Sequence, residues 1–475
     1  MRPPGPRLLA PRRCRTIRAS DTIVCLKARR WTVSRACPSM PSLRVLLVAF
    51  HYPPEISAGV QRARIMERFL VERGCDVTLL VPHRLERGLC GSRVLHVPLP
   101  RYLRGGPQPP DGAAAARPWS RFRRWVRRWL LVPDVFVGWS WAAAAAALRQ
   151  ARHAPWRLVI TSSPPESVHW IGWRLQRALG TPWLADFRDG WTLEPHREEI
   201  RLPIRGWFDR QLERCVVRRA SWITVNARPV ADDFATRVPC AKDRIHVLPT
   251  GFLASDAVRP DRDDGMFRLV YTGRFTLSWP EASPEPFFEG LRQALDADRL
   301  FAQRFRLVLV GSFTEAERAL WQRPPLDAVV EARPPCAYDE AMRWAAGATM
   351  LLLVAPQGLR SVIPRKLFDY LAARRPIFAV SGENEVSRML RETSAGICCP
   401  ADPGAIARTL LDLFGLWLAG RLDREIPCSG NDRYRAEPHF ERVLGGVVLD
   451  GLLGSHASPA ASGAPQGPLE PPREL

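Results

Sequence analysis

Two stretches of this chain carry the same alternation of short apolar runs and helical patterns, and few folds accommodate that twice in one polypeptide. Residues 43–50 (LRVLLVAF) form a nearly continuous apolar run, the pattern of a parallel strand covered on both faces. A loop through His51, Tyr52, Pro53 and Pro54 leads into a helical pattern over 60–73, closed by Gly74, and 76–82 (DVTLLVP) is the next strand. That is a βαβ unit. Strands at 157–161, 182–186, 222–226 and 245–248, with helices at 164–179 and 212–219, extend it. After a Pro- and Asp-rich linker at 249–265 a second set begins, with strands at 267–271, 305–310, 350–354, 377–380 and 396–399. Its helices fall at 286–295, 338–346, 364–373, 385–392 and 403–418. The pattern predicts an α/β chain of two Rossmann-like, doubly wound parallel-sheet domains, 40–255 and 256–455, with ligand-bearing loops at the strand C-termini facing a cleft.

Length agrees, since 475 residues exceed what a single core usually holds. Two terminal segments stand apart from the alternation. Residues 1–39 hold ten Lys or Arg against the single acid Asp21, and contain no apolar stretch long enough for a secretory signal. Met40 sits directly before the first strand, which fits a start at that methionine; an organelle transit peptide is the alternative, and either way 1–39 is left out of the fold. Residues 456–475, rich in Pro, Ala, Gly and Ser, read as a disordered tail. The remaining positive charge is spread over Arg-rich helical faces and does not call for nucleic acid. Eleven cysteines without a CxxC pair fit a reducing, cytoplasmic compartment. No run approaches the ~18–20 apolar residues that span a bilayer.

Several residues suit anion chemistry. Gly59 lies between the first strand and first helix, where a missing Cβ lets a phosphate approach backbone N–H groups; the alternative is a glycine easing the turn. Arg274 follows Thr272 and Gly273 at the end of the second domain's first strand. Lys366 falls in the first turn of the helix opened by Pro364, where the helix N-terminus already favours anions. Each of these cations fits a leaving diphosphate, or is an exposed surface base. The run Asp186-Phe187-Arg188-Asp189 closes a buried strand, so Asp189 is placed to orient an acceptor hydroxyl or act as base, and Arg188 to hold a phosphate. An Arg–Asp ion pair fixing the loop is the other reading. Glu383 and Glu385 flank a helix start, where they favour the dipole or reach a donor sugar. Asp296-Ala297-Asp298 mimics a metal-binding DxD but ends a helix, and no His/Cys cluster has metal spacing. No GxGxxG follows 43–50, which argues against a nicotinamide cofactor.

Six blocks occur in a telling order: YPPEISAGVQRAR (52–64), LVITSSPPESVHWIG (158–172), PWLADFRDGW (182–191), DRIHVLPTGF (243–252), LVYTGRF (269–275) and IPRKLFDYLAARRPIFAV (363–380). In these blocks the chain, over about 42–415, resembles the GT-B fold, family 4 retaining glycosyltransferases that build bacterial surface polysaccharides. The resemblance implies acceptor binding by the N-terminal domain and nucleotide-sugar binding by the C-terminal one, with a UDP- or GDP-sugar donor, a glycan or lipid-linked acceptor, no metal, and retention at the anomeric carbon. It sets Gly59 at the donor diphosphate and Asp369 on the ribose hydroxyls. The family pattern E-x7-E is altered twice, to Ser361 and Asp369, so the carboxylate nearest the donor sugar is missing. A catalytically inactive relative that binds nucleotide or a partner is the competing expectation. Finally, 118–131 (PWSRFRRWVRRWLL), from Pro118 to Leu131, sets Trp119, Phe122, Trp125 and Trp129 at helical spacing among five arginines. That fits either a helix facing the core or a peripheral anchor on an anionic membrane surface.

Overall fold

The computed structural model describes residues 43–53, 58–100, 131–194, 198–253 and 265–454. The arginine-rich leader 1–39, nearly all of the aromatic and basic segment 118–131 and the tail 456–475 lie outside them.

Two all-parallel sheets form. The first has seven strands, β1 (Arg44–Val48), β2 (Asp76–Val81), β3 (Arg93–His96), β4 (Leu158–Ser163), β5 (Trp183–Phe187), β6 (Trp222–Val225) and β7 (Ile245–Val247), in the order β3-β2-β1-β4-β5-β6-β7. The second has six, β8 (Phe267–Gly273), β9 (Phe305–Gly311), β10 (Val330–Arg333), β11 (Met350–Val354), β12 (Ile377–Val380) and β13 (Gly396–Cys399), in the order β10-β9-β8-β11-β12-β13. The central strands are the continuous apolar runs of the sequence. Val45 to Val48, Leu158 to Ile160 and Met350 to Leu353 are fully buried, as helices on both faces of a parallel sheet require. In each sheet the strand order reverses once, between β1 and β4 and between β8 and β11, and these reversals open the crevices in which α/β proteins bind ligands.

Several elements escaped the sequence pattern. β3 (RVLH) and β10 (VEAR) are edge strands, half exposed, whose polar residues hide any apolar run. The helix Val137–Ala151 buries Trp139, Ala143, Ala147 and Ala151 along one stripe four residues apart, with the Trp139 indole donating to Val97 O at 2.7 Å. Helices Arg228–Arg237 and Pro203–Arg219 are, respectively, new and nine residues longer at the N-terminus than the helix expected at 212–219.

The last described residues do not stay with the second sheet. After Glu425 the chain turns back: the Phe252 N–H donates to Tyr434 O at 3.1 Å and the Ala436 N–H to Phe252 O at 2.8 Å, so outgoing and returning segments run side by side. Gly251 sits there at φ +66 with Tyr434 O only 2.8 Å from where its Cβ would be; no other residue fits without moving the returning strand. Helix Ala436–Phe440 and the π-helical Glu441–Leu449 then pack on the first half. Phe440 meets Phe69 at 6.2 Å, Glu441 pairs with Arg73, and Arg442 donates to Val247 O at 3.3 Å. The first half is therefore completed by residues 436–449.

Candidate active site

At the C-terminal edge of the second sheet, the turn after β8 is pinned from three sides. Tyr370 Oη accepts the Thr272 N–H at 2.9 Å, the Tyr271 hydroxyl donates to Arg274 O at 2.6 Å, and Glu317 accepts the Thr276 N–H at 3.0 Å. Lys366, from the first turn of helix Arg365–Ala373, reaches into this turn: Nζ donates to Arg274 O at 3.2 Å and to the Tyr271 hydroxyl, and lies 3.9 Å from the Tyr271 ring centre. The sequence placed Arg274 and Lys366 in separate blocks, and the fold brings them together. Burial and the neighbouring Arg274 guanidinium push the Lys366 ammonium down to about 7, against the weaker pull of Asp369 and Glu317. Arg274 projects from the fixed turn as an exposed side chain. Tyr271, Tyr370 and Glu317 were not legible as site residues. Only Thr314-x-x-Glu317 was readable, as the capping box it is.

Asp369 lies one helical turn from Lys366. Its Oδ1 accepts from the Tyr338 hydroxyl at 2.9 Å and from Arg365 at 3.4 Å. Glu383 is 80% exposed and both of its oxygens are bound by Arg391, at 2.9 and 2.8 Å, in a surface ion pair. Asp298 caps helix Arg299–Arg304 through the Phe301 N–H, and Asp296 pairs with Arg292, which accounts for both carboxylates of the DxD mimic. Among the described residues no three His, Cys, Asp or Glu side chains gather as metal ligands.

In the first half, Gly59 and Arg188 meet. A Cβ on Gly59 would fall 1.8 Å from Arg188 Nη1, while Arg188 Nε and Nη2 donate to Ser163 O at 2.9 Å and Pro164 O at 2.8 Å. Arg188 thus braces the end of β4 against the first helix, a task the sequence did not suggest. Asp186, the first residue of the run 186–189, makes an ion pair with Arg62 of the first helix. Asp186 is fully buried and is held by Arg62 Nε (2.8 Å), Ser162 Oγ (2.6 Å) and Thr224 Oγ1 (2.7 Å). Burial raises the Asp186 carboxyl, but the Arg62 charge and these hydrogen bonds outweigh it and hold it below the usual carboxylate range. Asp189 lines a cavity of about 360 Å³ with His51, Asp134, Glu166, Trp191 and Arg205. Among the described residues its carboxylate has no hydrogen-bond or ion-pair partner. His51 was missed, because in sequence it is only the first residue after a strand. His169, by contrast, is fully buried, its imidazole driven down to about 3 by that burial, and serves packing.

Residues 57–251 match the family described as glycosyl transferase 4-like domain. The chain has the GT-B fold of two parallel-sheet α/β halves, and the stretch 57–251 is similar to that family's domain. Its fold is that of sucrose-phosphate synthase from Thermosynechococcus elongatus (14% identity, 87% of this chain and all of that one, TM-score 0.61) and of trehalose 6-phosphate synthase from Burkholderia multivorans (14%, 89% and 100%, 0.61). Anabaena HepE, solved with UDP, is similar as well (11%, 85% and 99%, 0.58). No curated protein matches by sequence. The matched residues run from the first helix to just after β7 and so include Gly59, Arg188 and Asp189; Arg274, Lys366 and Asp369 lie in the second half beyond them. No helix among the described residues is long and apolar enough to cross a membrane.

Proposed function

We propose that the protein transfers a hexosyl group, with retention, from a UDP- or GDP-sugar to a hydroxyl of a lipid-linked or polysaccharide acceptor. The observation that carries the reading is the convergence of Arg274 and Lys366 on one fixed turn at the second sheet's reversal point, at the N-terminus of helix Arg365–Ala373. Two cations and a helix dipole there oppose the charge that grows on a departing nucleoside diphosphate. Asp369, with one oxygen on Tyr338, offers the other to the ribose diol. Asp189 faces the cavity of the first half, where it would orient the acceptor hydroxyl, and closure of the halves would exclude water. Calorimetric titration with UDP and GDP tests the donor placement. Asp369→Ala should weaken one of them by about 1.5–3 kcal/mol, the loss of a charge-assisted hydrogen bond. Unchanged affinity for both nucleotides removes Asp369 from the donor site.

The same reading puts the acceptor at a membrane surface. Leu131, where the aromatic and basic segment ends, accepts a hydrogen bond from Arg205 at 3.3 Å, in the helix whose first turns expose Ile204, Trp207 and Phe208. Sedimentation with anionic vesicles at low salt should carry the protein down, and changing Arg123, Arg124, Arg127 and Arg128 to Gln should release it, each basic residue contributing roughly 1 kcal/mol. A variant that sediments as well as the parent would show that this segment is not the anchor.

A further inference from the structure

The two halves touch through the loop between β5 and helix Pro203–Arg219. Glu194, on that loop, sends its carboxylate into the second half, where Oε1 accepts the Arg360 N–H at 2.6 Å and Oε2 accepts both the Ser361 N–H at 2.8 Å and the Ser361 hydroxyl at 2.7 Å. Farther along the loop, Arg201 pairs with Glu281 at 3.1 Å, and Glu281 O in turn accepts the Gln357 N–H at 3.0 Å. Glu194 holds this position at φ +52, a left-handed backbone that a non-glycine residue adopts only when its surroundings compel it.

Two consecutive backbone N–H groups and a hydroxyl converging on one carboxylate form an oxyanion seat. The seat is braced from behind. Arg360 O accepts the Glu385 N–H at 3.1 Å, and the Gln357 side chain donates to Ala355 O at 2.9 Å and to Val380 O at 3.4 Å. Ser361 is only 6% exposed. The seat follows β11 at the second sheet's reversal point, on the loop that leads to Lys366. It is therefore a preformed place for a negatively charged oxygen, and the group in it belongs to the opposite half.

We propose that this seat binds a phosphate-class oxyanion from solution and that Glu194 fills it in the empty protein, as a latch between the halves. One set of three donors cannot serve both a carboxylate and a phosphate oxygen, and the two anions repel, so each excludes the other. The inference rests on the glycosyl-transfer reading only in taking the natural oxyanion to be the donor diphosphate. Its consequence is that donor entry releases Glu194 from the second half, leaving Arg201 on Glu281 as the remaining tie of this loop.

Inorganic pyrophosphate is the probe, used on the full chain. By calorimetry Glu194→Ala should bind it about ten-fold more tightly than the parent, because no internal carboxylate competes. Ser361→Ala, which removes one donor, should bind it more weakly than Glu194→Ala does, and melting curves of both variants check folding. By hydrogen exchange, pyrophosphate added to the parent should speed exchange in residues 190–194 and 198–202 while residues 355–366 stay protected. Equal or weaker binding by Glu194→Ala, or slower exchange in 190–194 and 198–202, overturns the proposal. UDP is titrated in parallel. If UDP binds no better than pyrophosphate while the latch behaves as described, the glycosyl-transfer reading fails and the seat stands; if UDP binds but the latch is indifferent to it and to pyrophosphate, the reverse holds.

Discussion

Arg62→Ala is expected to destabilise the protein by about 3–5 kcal/mol, the range found when one partner of a buried ion pair is removed. Both side chains are fully buried. Without the guanidinium, Asp186 keeps only the Ser162 and Thr224 hydroxyls, in a site from which water is excluded. Arg62 also donates to Leu248 O at 2.8 Å, so the same substitution detaches the first helix from the chain segment that follows β7. Urea melts at pH 7 check the size of the effect. The pH dependence gives a second signature. Because the folded-state Asp186 carboxyl sits below its unfolded value, its contribution is fully present above about pH 4 and is lost as pH falls through the lowered folded value. A variant within 1 kcal/mol of the parent would mean that the network is not what fixes β5, and a Arg62→Met/Asp186→Leu double variant more stable than Arg62→Ala would identify the orphaned charge as the cause.

Lys366→Ala should cut kcat by about 10²–10³ once a donor is identified, the range for removing one preorganised group that meets charge developing in the transition state. Loss confined to KM would instead mark Lys366 as a ground-state binding group only. Proton linkage supplies an independent readout. With its ammonium at about 7 in the empty site, Lys366 is largely neutral at pH 8; an incoming diphosphate favours the charged form and raises it again. Binding at pH 8 should then take up close to one proton, seen by calorimetry in buffers of different ionisation enthalpy, and affinity should fall as pH rises from 7 to 9. Lys366→Ala should abolish the uptake. Uptake that persists in the variant would move the effect to another group.

The central strands were legible because burial on both faces leaves them no polar residues: 350–354 and 377–380 agree with the structure residue for residue. The edge strands β3 and β10 were not, since one exposed side lets Arg, His and Glu into them. Lys366 and Asp369 could be placed on one helical face from their spacing alone. The contacts that give those residues their setting could not, because Tyr271 to Lys366 and Glu194 to Ser361 join positions 95 and 167 residues apart, for which no local period exists. Arg188 shows the same limit from the other side. Its type suggested phosphate, and nothing local announced the two carbonyls it donates to or the Gly59 backbone it lies against.

The return of the chain across Gly251 to lay Ala436–Leu449 on the first half bears on how the protein is made. Emerging N-terminus first, the first sheet has all seven strands once residue 247 is out, yet Phe69 and Arg73 still wait for Phe440 and Glu441. For the time needed to synthesise roughly 190 further residues, at about 5–20 per second, that flank of the nascent sheet-and-helix layer is uncovered. A ribosome stalled in the second half would display an apolar surface that the released protein hides, which makes this flank the natural place for a chaperone to bind during translation.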